Sequence, residues 1–384
     1  MISETYPEIR ESVRKLCAKF PGEYWRQLDE AKEYPSEFVN SLSEAGFLSI
    51  TIPEQYGGSG LPLSAACAVL EEIQRSGCNG GACHAQMYTM GTLLRHGSEQ
   101  QKKKYLPQIS SGELRLQAFG VTEPNSGTDT TRITTFARRD GDDYIVNGQK
   151  VWISRSEHSD LMVLLVRTTA REECKKPSEG MSVLLVDLRD ALGNGLTIKP
   201  IKTMLNHATT ELFFDNLRVP ADNLVGVQGK GFKYIMDGMN AERILIAAEC
   251  IGDAKFFIDK SSSYAKQREV FGRPIGQNQG VQFPIARNYA QMRAAEALVK
   301  EAALKFESND ACGTEANICK LLASEASWAA ADTCIQTHGG YGFAVEYDIE
   351  RKFRETRLYQ VAPISSNLIL AYIGTQELGL PKSY

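Results

Sequence analysis

The sequence lacks the features of several protein classes. It contains no apolar run near the ~20 residues that span a bilayer, and its nine cysteines include no CxxC pair. Its five histidines show no spacing typical of metal ligands. A net charge of −4 over 384 residues leaves no basic excess for nucleic acid. We therefore expect a soluble cytoplasmic protein, or a mitochondrial matrix protein if eukaryotic, with reduced and mostly buried cysteines.

The pattern of apolar residues divides the chain into three segments. Apolar positions recur at helical spacing before residue 113, and short β-type runs follow between Gly, Asn and Asp. Helical spacing then returns to the end. The pattern predicts an α+β protein with an all-α domain at 1–113, a β domain at 114–226 and a helical domain at 227–384.

Three local patterns refine this division. The strand pattern at Tyr144–Gly148 ends on Asn-Gly, which predicts a turn there. Apolar residues seven apart from Ile285 to Phe306 predict a long bundle helix, which either begins at Pro284 or bends there. The run Gly226–Gly231 matches no phosphate-binding pattern.

Two neighbouring segments carry the strongest chemical signal. The loop Val121–Asp129 is rich in Thr, Ser, Gly and Pro, and Trp152 follows it. Hydroxyls and backbone amides can donate to a dinucleotide, and an indole can pack against an isoalloxazine ring. The alternative is an ordinary surface turn followed by a core tryptophan.

The two segments together resemble the first signature of the acyl-CoA dehydrogenase family. Arg268–Ile275 resembles the second signature and Gln336–Gly342 the third, in family order. The similarity begins near Tyr34 and Ile52–Gly58, so it covers nearly the whole chain. It implies an N-terminal helical domain, a central β-barrel or sandwich domain and a C-terminal four-helix bundle.

The resemblance also implies FAD as cofactor. In the family a neighbouring subunit supplies part of the FAD site, which implies a homotetramer, or at least a dimer. From this subunit's own β domain the implied cofactor-binding residues are Phe119, Val121, Thr122, Gly127, Thr128, Trp152 and Ser154. The remaining ones are Arg268, Phe271, Gln336, Gly340, Ser365 and Asn367.

The catalytic base departs from the commonest family pattern. Most members place a Glu in a turn of the C-terminal helix, where this chain has Pro363, and no acid occurs between Glu355 and Glu377. A minority place the base just before an Arg on the helix that opens the C-terminal domain. That pattern implies Glu242, which precedes Arg243. The alternative is a Glu in the first turn of a helix, where the macrodipole favours it.

Substrate contacts are implied for Asn240, Arg243, Thr128 and Gln86. In relatives, the helix that carries His84, Gln86, Met87 and Tyr88 lines the acyl pocket. Polar and bulky side chains there suggest a short pocket or one that accepts a modified acyl group.

The implied reaction is α,β-dehydrogenation of an acyl-CoA to a trans-2-enoyl-CoA, with electrons passed to an electron-transferring flavoprotein. An acyl-CoA oxidase or flavin monooxygenase of the same fold is an alternative. A catalytically silent flavin or acyl-thioester binding protein is another, because the usual base is missing. The resemblance leaves open chain length, and whether CoA or a carrier protein bears the acyl group.

Overall fold

The computed structural model describes residues 5–382. Its helices are, in chain order, α1 (Pro7–Cys17), α2 (Gly22–Ala31), α3 (Ser36–Glu44), α4 (Leu63–Arg75), α5 (His84–His96), α6 (Glu99–Ser111), α7 (Leu188–Ala191), α8 (Gly231–Gln267), α9 (Gln279–Glu307), α10 (Gly313–His338), α11 (Ile349–Arg357) and α12 (Ser366–Tyr372). Its strands are β1 (Leu116–Gly120), β2 (Phe136–Asp140), β3 (Asp143–Ser154), β4 (Leu161–Arg167), β5 (Met181–Asp187), β6 (Leu196–Pro200), β7 (Thr209–Pro220), β8 (Leu224–Val225), β9 (Glu269–Val270) and β10 (Arg273–Pro274).

These elements form two compact units. The sheet unit comprises Tyr34–Leu61 and Gly81–Met239. The helical unit comprises Met1–Glu33, Pro62–Gly80 and Asn240–Tyr384. The division of the sequence into segments 1–113, 114–226 and 227–384 stays a prediction.

The sheet unit is built on one mixed sheet of eight strands. Its order is β6-β7-β3-β2-β4-β5-β8, and β1 pairs with β4 in parallel. The short β-type runs noted in the sequence, at 161–166, 181–186 and 212–214, all lie within it. Strand β4 is buried throughout, which explains its continuous apolar sequence.

The two faces of this sheet pack against different cores. Leu161, Val163 and Leu165 point to a core that includes Leu93 of α5 and Leu106 of α6. Alternate residues of the same strand, such as Leu164, point to a second core. Strand alternation thus gives the sheet two buried faces, one of them covered by helices.

The predicted turn at Asn147–Gly148 is wrong, because β3 continues through it to Ser154. The register with β7 shifts between Val146 and Gly148, which marks a bulge. Gly148 has a φ of 145°, and a Cβ there would lie 2.6 Å from the Thr135 hydroxyl. The glycine therefore serves a bulge rather than a turn.

The helical unit is dominated by the long helices α8, α9 and α10. The predicted apolar stripe of α9 is confirmed, with Met292, Ala295, Val299 and Ala302 buried. Pro284 does not start this helix, which begins five residues earlier at Gln279. Pro284 is the sixth residue of the helix, so it removes one intrahelical hydrogen bond, the one to the Gly280 carbonyl, near the helix start.

Candidate active site

The loop after β1 carries the first group of candidate cofactor residues. Glu123 and Ser126 exchange two backbone hydrogen bonds of 3.2 and 3.0 Å, which close the loop. Gly127 and Thr128 are exposed beyond this closure, while Val121 and Thr122 are half-buried before it. The amide of Val151 donates to the carbonyl of Thr122 at 3.0 Å, so β3 holds the loop from beside it.

A buried ion pair supports this loop from within. The Lys150 ammonium donates to the Val121 carbonyl at 2.9 Å and to Glu123 Oε1 at 2.8 Å. The Glu123 carboxylate also accepts from the backbone amides of Thr134 and Thr135. Burial lowers the pKa of Lys150 to about 8, and the attraction of Glu123 offsets part of this shift. Nothing in the sequence indicated this pairing, because 27 positions separate Lys150 from Glu123.

Trp152 and Ser154 lie on β3 two and four residues beyond Lys150. The Trp152 side chain is 60% exposed, and its backbone has a φ of 62°. A left-handed conformation costs a bulky residue on the order of 1–3 kcal/mol, so it persists where the surroundings impose it. The alternative of a core tryptophan is wrong. An exposed indole on the strand that holds the loop after β1 fits a planar ligand such as a flavin.

The other candidate cofactor residues lie in the helical unit and are exposed. Phe271, fully exposed with a φ of 55°, forms the turn between β9 and β10. Arg268 lies 6.0 Å from the Tyr341 ring centroid, which brings the second and third signatures together. Gln336 and Gly340 are also exposed, at the end of α10 and just after it. These side chains are available to a ligand.

Ser365 and Asn367 have local explanations. Ser365 is the N-cap of α12, where its hydroxyl accepts from the Leu368 amide at 3.3 Å. Asn367 is exposed in the first turn of the same helix. Their role in cofactor binding stays a prediction.

Glu242 lies inside α8 rather than at its start. The helix begins at Gly231, so Glu242 lies about three turns into it. The alternative of a first-turn Glu is therefore wrong, because the macrodipole effect decays within the first turn. The residue is only 5% exposed. Helix propensity alone does not explain a buried carboxylate at this position.

Two buried cations lie within electrostatic range of Glu242. Burial lowers the pKa of Arg243, and the Glu242 charge opposes that shift. Burial likewise lowers the pKa of Lys320 to about 8, again opposed by Glu242. The Arg243 guanidinium donates to Asn240 Oδ1 at 2.9 Å, while its Nε has no partner among residues 5–382.

Lys320 was not predicted as a site residue. Its ammonium donates to the Ile364 carbonyl at 2.7 Å, next to Pro363. A fully buried lysine thus connects α10 to the turn where most of the family carries its base. The helical period around Lys320 gave no indication of this contact.

The substrate candidates in the sheet unit differ in burial. Gln86 lies buried on α5, and its side-chain oxygen has no hydrogen-bond partner in the described part of the chain. Thr128 is exposed. No group of three His, Cys, Asp or Glu residues suited to a metal ion occurs among residues 5–382. No helix over that range is long and apolar enough to cross a membrane.

Comparison with known proteins identifies the family. The models of the acyl-CoA dehydrogenase N-terminal, middle and C-terminal domains match residues 3–113, 118–217 and 229–373. Acyl-CoA dehydrogenase FadE12 of Mycobacterium tuberculosis is 33% identical over 100% of this chain and 98% of its own length. The 3-(aryl)acrylate reductase of Clostridium sporogenes is 33% identical over 97% of both chains.

A solved structure of a glutaryl-coenzyme A dehydrogenase with glutaryl-CoA has a TM-score of 0.91 and 31% identity. The match covers 100% of this chain and 98% of that one. The resemblance and the fold inferred from the signatures are thereby confirmed. The chain belongs to the acyl-CoA dehydrogenase family of FAD-dependent oxidoreductases.

Proposed function

We propose that this enzyme removes the α-proton of an acyl-CoA with Glu242 and yields a trans-2-enoyl-CoA. The observation that carries the proposal is a carboxylate buried in the interior of α8. The chain offers no acid in the turn around Pro363. A base in a water-poor position abstracts a carbon-bound proton more readily than a hydrated one.

The surroundings of Glu242 suit this role. Arg243 and Lys320 interact electrostatically with its carboxylate, which places positive charge beside the proposed base. Lys320 is fixed by its bond to the Ile364 carbonyl, and Arg243 by its bond to Asn240. Two cations with fixed positions therefore lie near the proposed base.

In this reaction the C–H bond at Cα breaks and its proton goes to Glu242. The electron pair forms the Cα=Cβ double bond as the Cβ hydrogen leaves with its own pair. Bound FAD supplies the acceptor for that hydride. Val121, Thr122, Trp152 and Ser154 would hold its ring system, and the Arg268 guanidinium suits its pyrophosphate. The electrons then pass to an electron-transferring flavoprotein.

Glu242→Gln tests the base. The amide keeps the volume and cannot accept the proton, so flavin reduction by an acyl-CoA should slow ~10²–10⁴-fold in anaerobic rapid mixing. Glu249→Gln is the matched control, because Glu249 is buried on the same helix. It should reduce flavin at near the wild-type rate. Wild-type rates in Glu242→Gln would contradict the assignment.

The same residues could serve the reverse direction. Two relatives are named as reductases, a 3-(aryl)acrylate reductase and an acryloyl-CoA reductase. A protonated Glu242 would then donate to Cα. Two rates separate the directions. One is the rate at which an enoyl-CoA reoxidises the photoreduced flavin, and the other is the rate at which the saturated thioester reduces the oxidised flavin. Peroxide formation in air would instead identify an oxidase.

A further inference from the structure

The sheet unit contains three buried cations with different partners. Lys150, Arg155 and Arg167 are each at most 3% exposed. A buried charge costs several kcal/mol unless it is paired or fully hydrogen-bonded. The partners of each residue therefore indicate whether its role is structural.

Two of the three cations have their partners within the protein. Lys150 is paired with Glu123. Arg167 has no carboxylate, but its guanidinium donates to four backbone carbonyls, those of Ile133, Glu179, Thr131 and Pro177. These bonds fasten the loops beside β4. Arg167 is a structural residue whose donors are matched by the protein itself.

Arg155 is not matched in this way. It follows β3 directly with a φ of 62°, and its amide donates to the Ala208 carbonyl at 2.7 Å. Its guanidinium donates to the Gly81 carbonyl and contacts His207 Nε2 at 3.4 Å. Its Nε has no partner, and it forms no salt bridge with any residue in 5–382. A buried cation is thus left without a negative charge.

The two imidazoles beside Arg155 supply no negative charge. Burial holds the pKa of His207 well below its usual value, with Arg155 and His84 adding to the effect. The imidazole is therefore neutral and can accept a hydrogen bond from the guanidinium. The ring of His84 lies 6.4 Å from that of His207. Together Arg155, His84 and His207 form a cluster that is positive or neutral.

This cluster borders the candidate flavin residues from two directions. Arg155 is the next residue after Ser154. His84 packs against Tyr88 with ring centroids 5.8 Å apart, and Tyr88 lies edge-on to Phe119 at 6.1 Å. The cluster therefore adjoins the residues proposed to hold the flavin.

We propose that Arg155, with His84 and His207, binds a carboxylate at the far end of the acyl group. The substrate class would then be short acyl-CoAs that end in a carboxylate. This inference rests on the proposed function, because it assumes an acyl-CoA substrate. A guanidinium fork binds a carboxylate with two parallel bonds, which suits the unpartnered Nε. A second candidate anion is a phosphate of FAD, and the experiment separates the two.

The test compares thioesters of equal carbon number. Glutaryl-CoA against valeryl-CoA, and adipyl-CoA against hexanoyl-CoA, differ only in a terminal carboxylate or methyl group. Flavin reduction by each is followed anaerobically, and binding is followed by thermal shift. In at least one pair the wild type should prefer the thioester that ends in a carboxylate by about 30-fold or more. This is the range expected when one member of a buried charge pair is removed. Arg155→Met should abolish that preference.

Arg167→Met is the matched control, since it removes a second buried arginine of the same unit. It should keep the preference for the carboxylate, even if the protein becomes less stable. A wild type that binds both members of each pair equally would overturn the inference, whether or not Arg155→Met folds. Loss of FAD from Arg155→Met with the preference intact would assign the residue to the cofactor phosphate and overturn it as well.

Failure of the proposed function gives a different result. If no thioester reduces the flavin, dehydrogenation fails as the activity. The thermal shift with glutaryl-CoA and valeryl-CoA still decides whether a carboxylate is recognised.

Discussion

The two units handle buried positive charge differently. In the helical unit Arg10 lies 3.0 Å from Glu71 and Lys352 lies 2.6 Å from Asp253, whereas Lys320 donates to the Ile364 carbonyl. In the sheet unit Lys150 pairs with a carboxylate, and Arg167 relies on backbone carbonyls. Helices saturate their own carbonyls, whereas loops leave carbonyls free to accept. Lys320 fits the same rule, because Ile364 lies in the turn before α12.

The exceptions to this comparison are informative. Arg155 in the sheet unit and Arg243 in the helical unit both have an unpartnered Nε and form no salt bridge within the described chain. Both lie beside residues proposed to contact ligands. Cations with a structural role have their hydrogen-bond and ionic partners within the protein. A buried cation without such partners marks a position where a ligand could supply them.

The largest expected effect is on the helical unit. Lys352→Met leaves the buried Asp253 without its cation, while Glu355 keeps its pair with Arg351. Unfolding free energy should fall by about 3–5 kcal/mol, as measured by denaturant titration. Lys102→Met, which breaks an exposed pair with Glu99, is the control and should change stability by less than about 1 kcal/mol. An equal loss of unfolding free energy in the two variants would contradict the expected difference between the buried and the exposed ion pair.

A smaller loss is expected at Lys150. Lys150→Met leaves Glu123 buried, but the carboxylate keeps its bonds from Thr134 and Thr135. We expect a loss of about 2–3 kcal/mol. Because the Val121 carbonyl also loses its donor, FAD should dissociate more readily. Retention of FAD is measured by ultrafiltration of the folded protein, and Lys352→Met should leave it unchanged. Unchanged FAD affinity in Lys150→Met would show that the Lys150–Glu123 pair does not support the cofactor loop.

The pH dependence of stability sharpens the same point. The pKa of Lys150 is about 8 in the folded protein, against an ordinary value of 10.5. Between these values the unfolded chain binds more protons, so the contribution of Lys150 to the unfolding free energy rises with pH. The stability difference between wild type and Lys150→Met should therefore move in favour of the wild type above about pH 8. A difference that stays constant to about pH 9.5 would contradict the shift.

The smallest effect is expected at Arg155. Since no buried anion depends on it, Arg155→Met should stay within about 1 kcal/mol of the wild type without ligand. Arg167→Met should lose more, because four carbonyls lose their donors. Thermal unfolding of the two variants without any thioester checks the order. A larger loss in Arg155→Met would make Arg155 a structural residue.

Patterns that depend on neighbours in the chain were predictable. The apolar runs of β4 and β5 and the seven-residue stripe of α9 indicated their elements correctly, because burial imposes a local period. The Asn147–Gly148 prediction failed, since a glycine inside a strand can serve a bulge as readily as a turn. The start of α9 was also missed, because a proline fits several positions near a helix N-terminus.

The polar interior was not predictable in the same way. Lys150 meets Glu123, Lys320 meets Ile364, and Arg155 meets His207, in each case across a long stretch of chain. No periodicity encodes such pairs, because they depend on how distant segments pack. The signatures indicated candidate cofactor residues, and only the fold reveals which charges lie beside them.

The distribution of cysteines has a practical consequence. All nine thiols are free, and Cys174 alone is partly exposed while the other eight are buried. Cys174 lies in the segment between β4 and β5, where its thiol contacts the Ala170 carbonyl. A thiol-directed fluorophore should therefore attach mainly at this one position in the native enzyme. Energy transfer from that label to the yellow cofactor would report cofactor binding and release in real time, without any engineered cysteine.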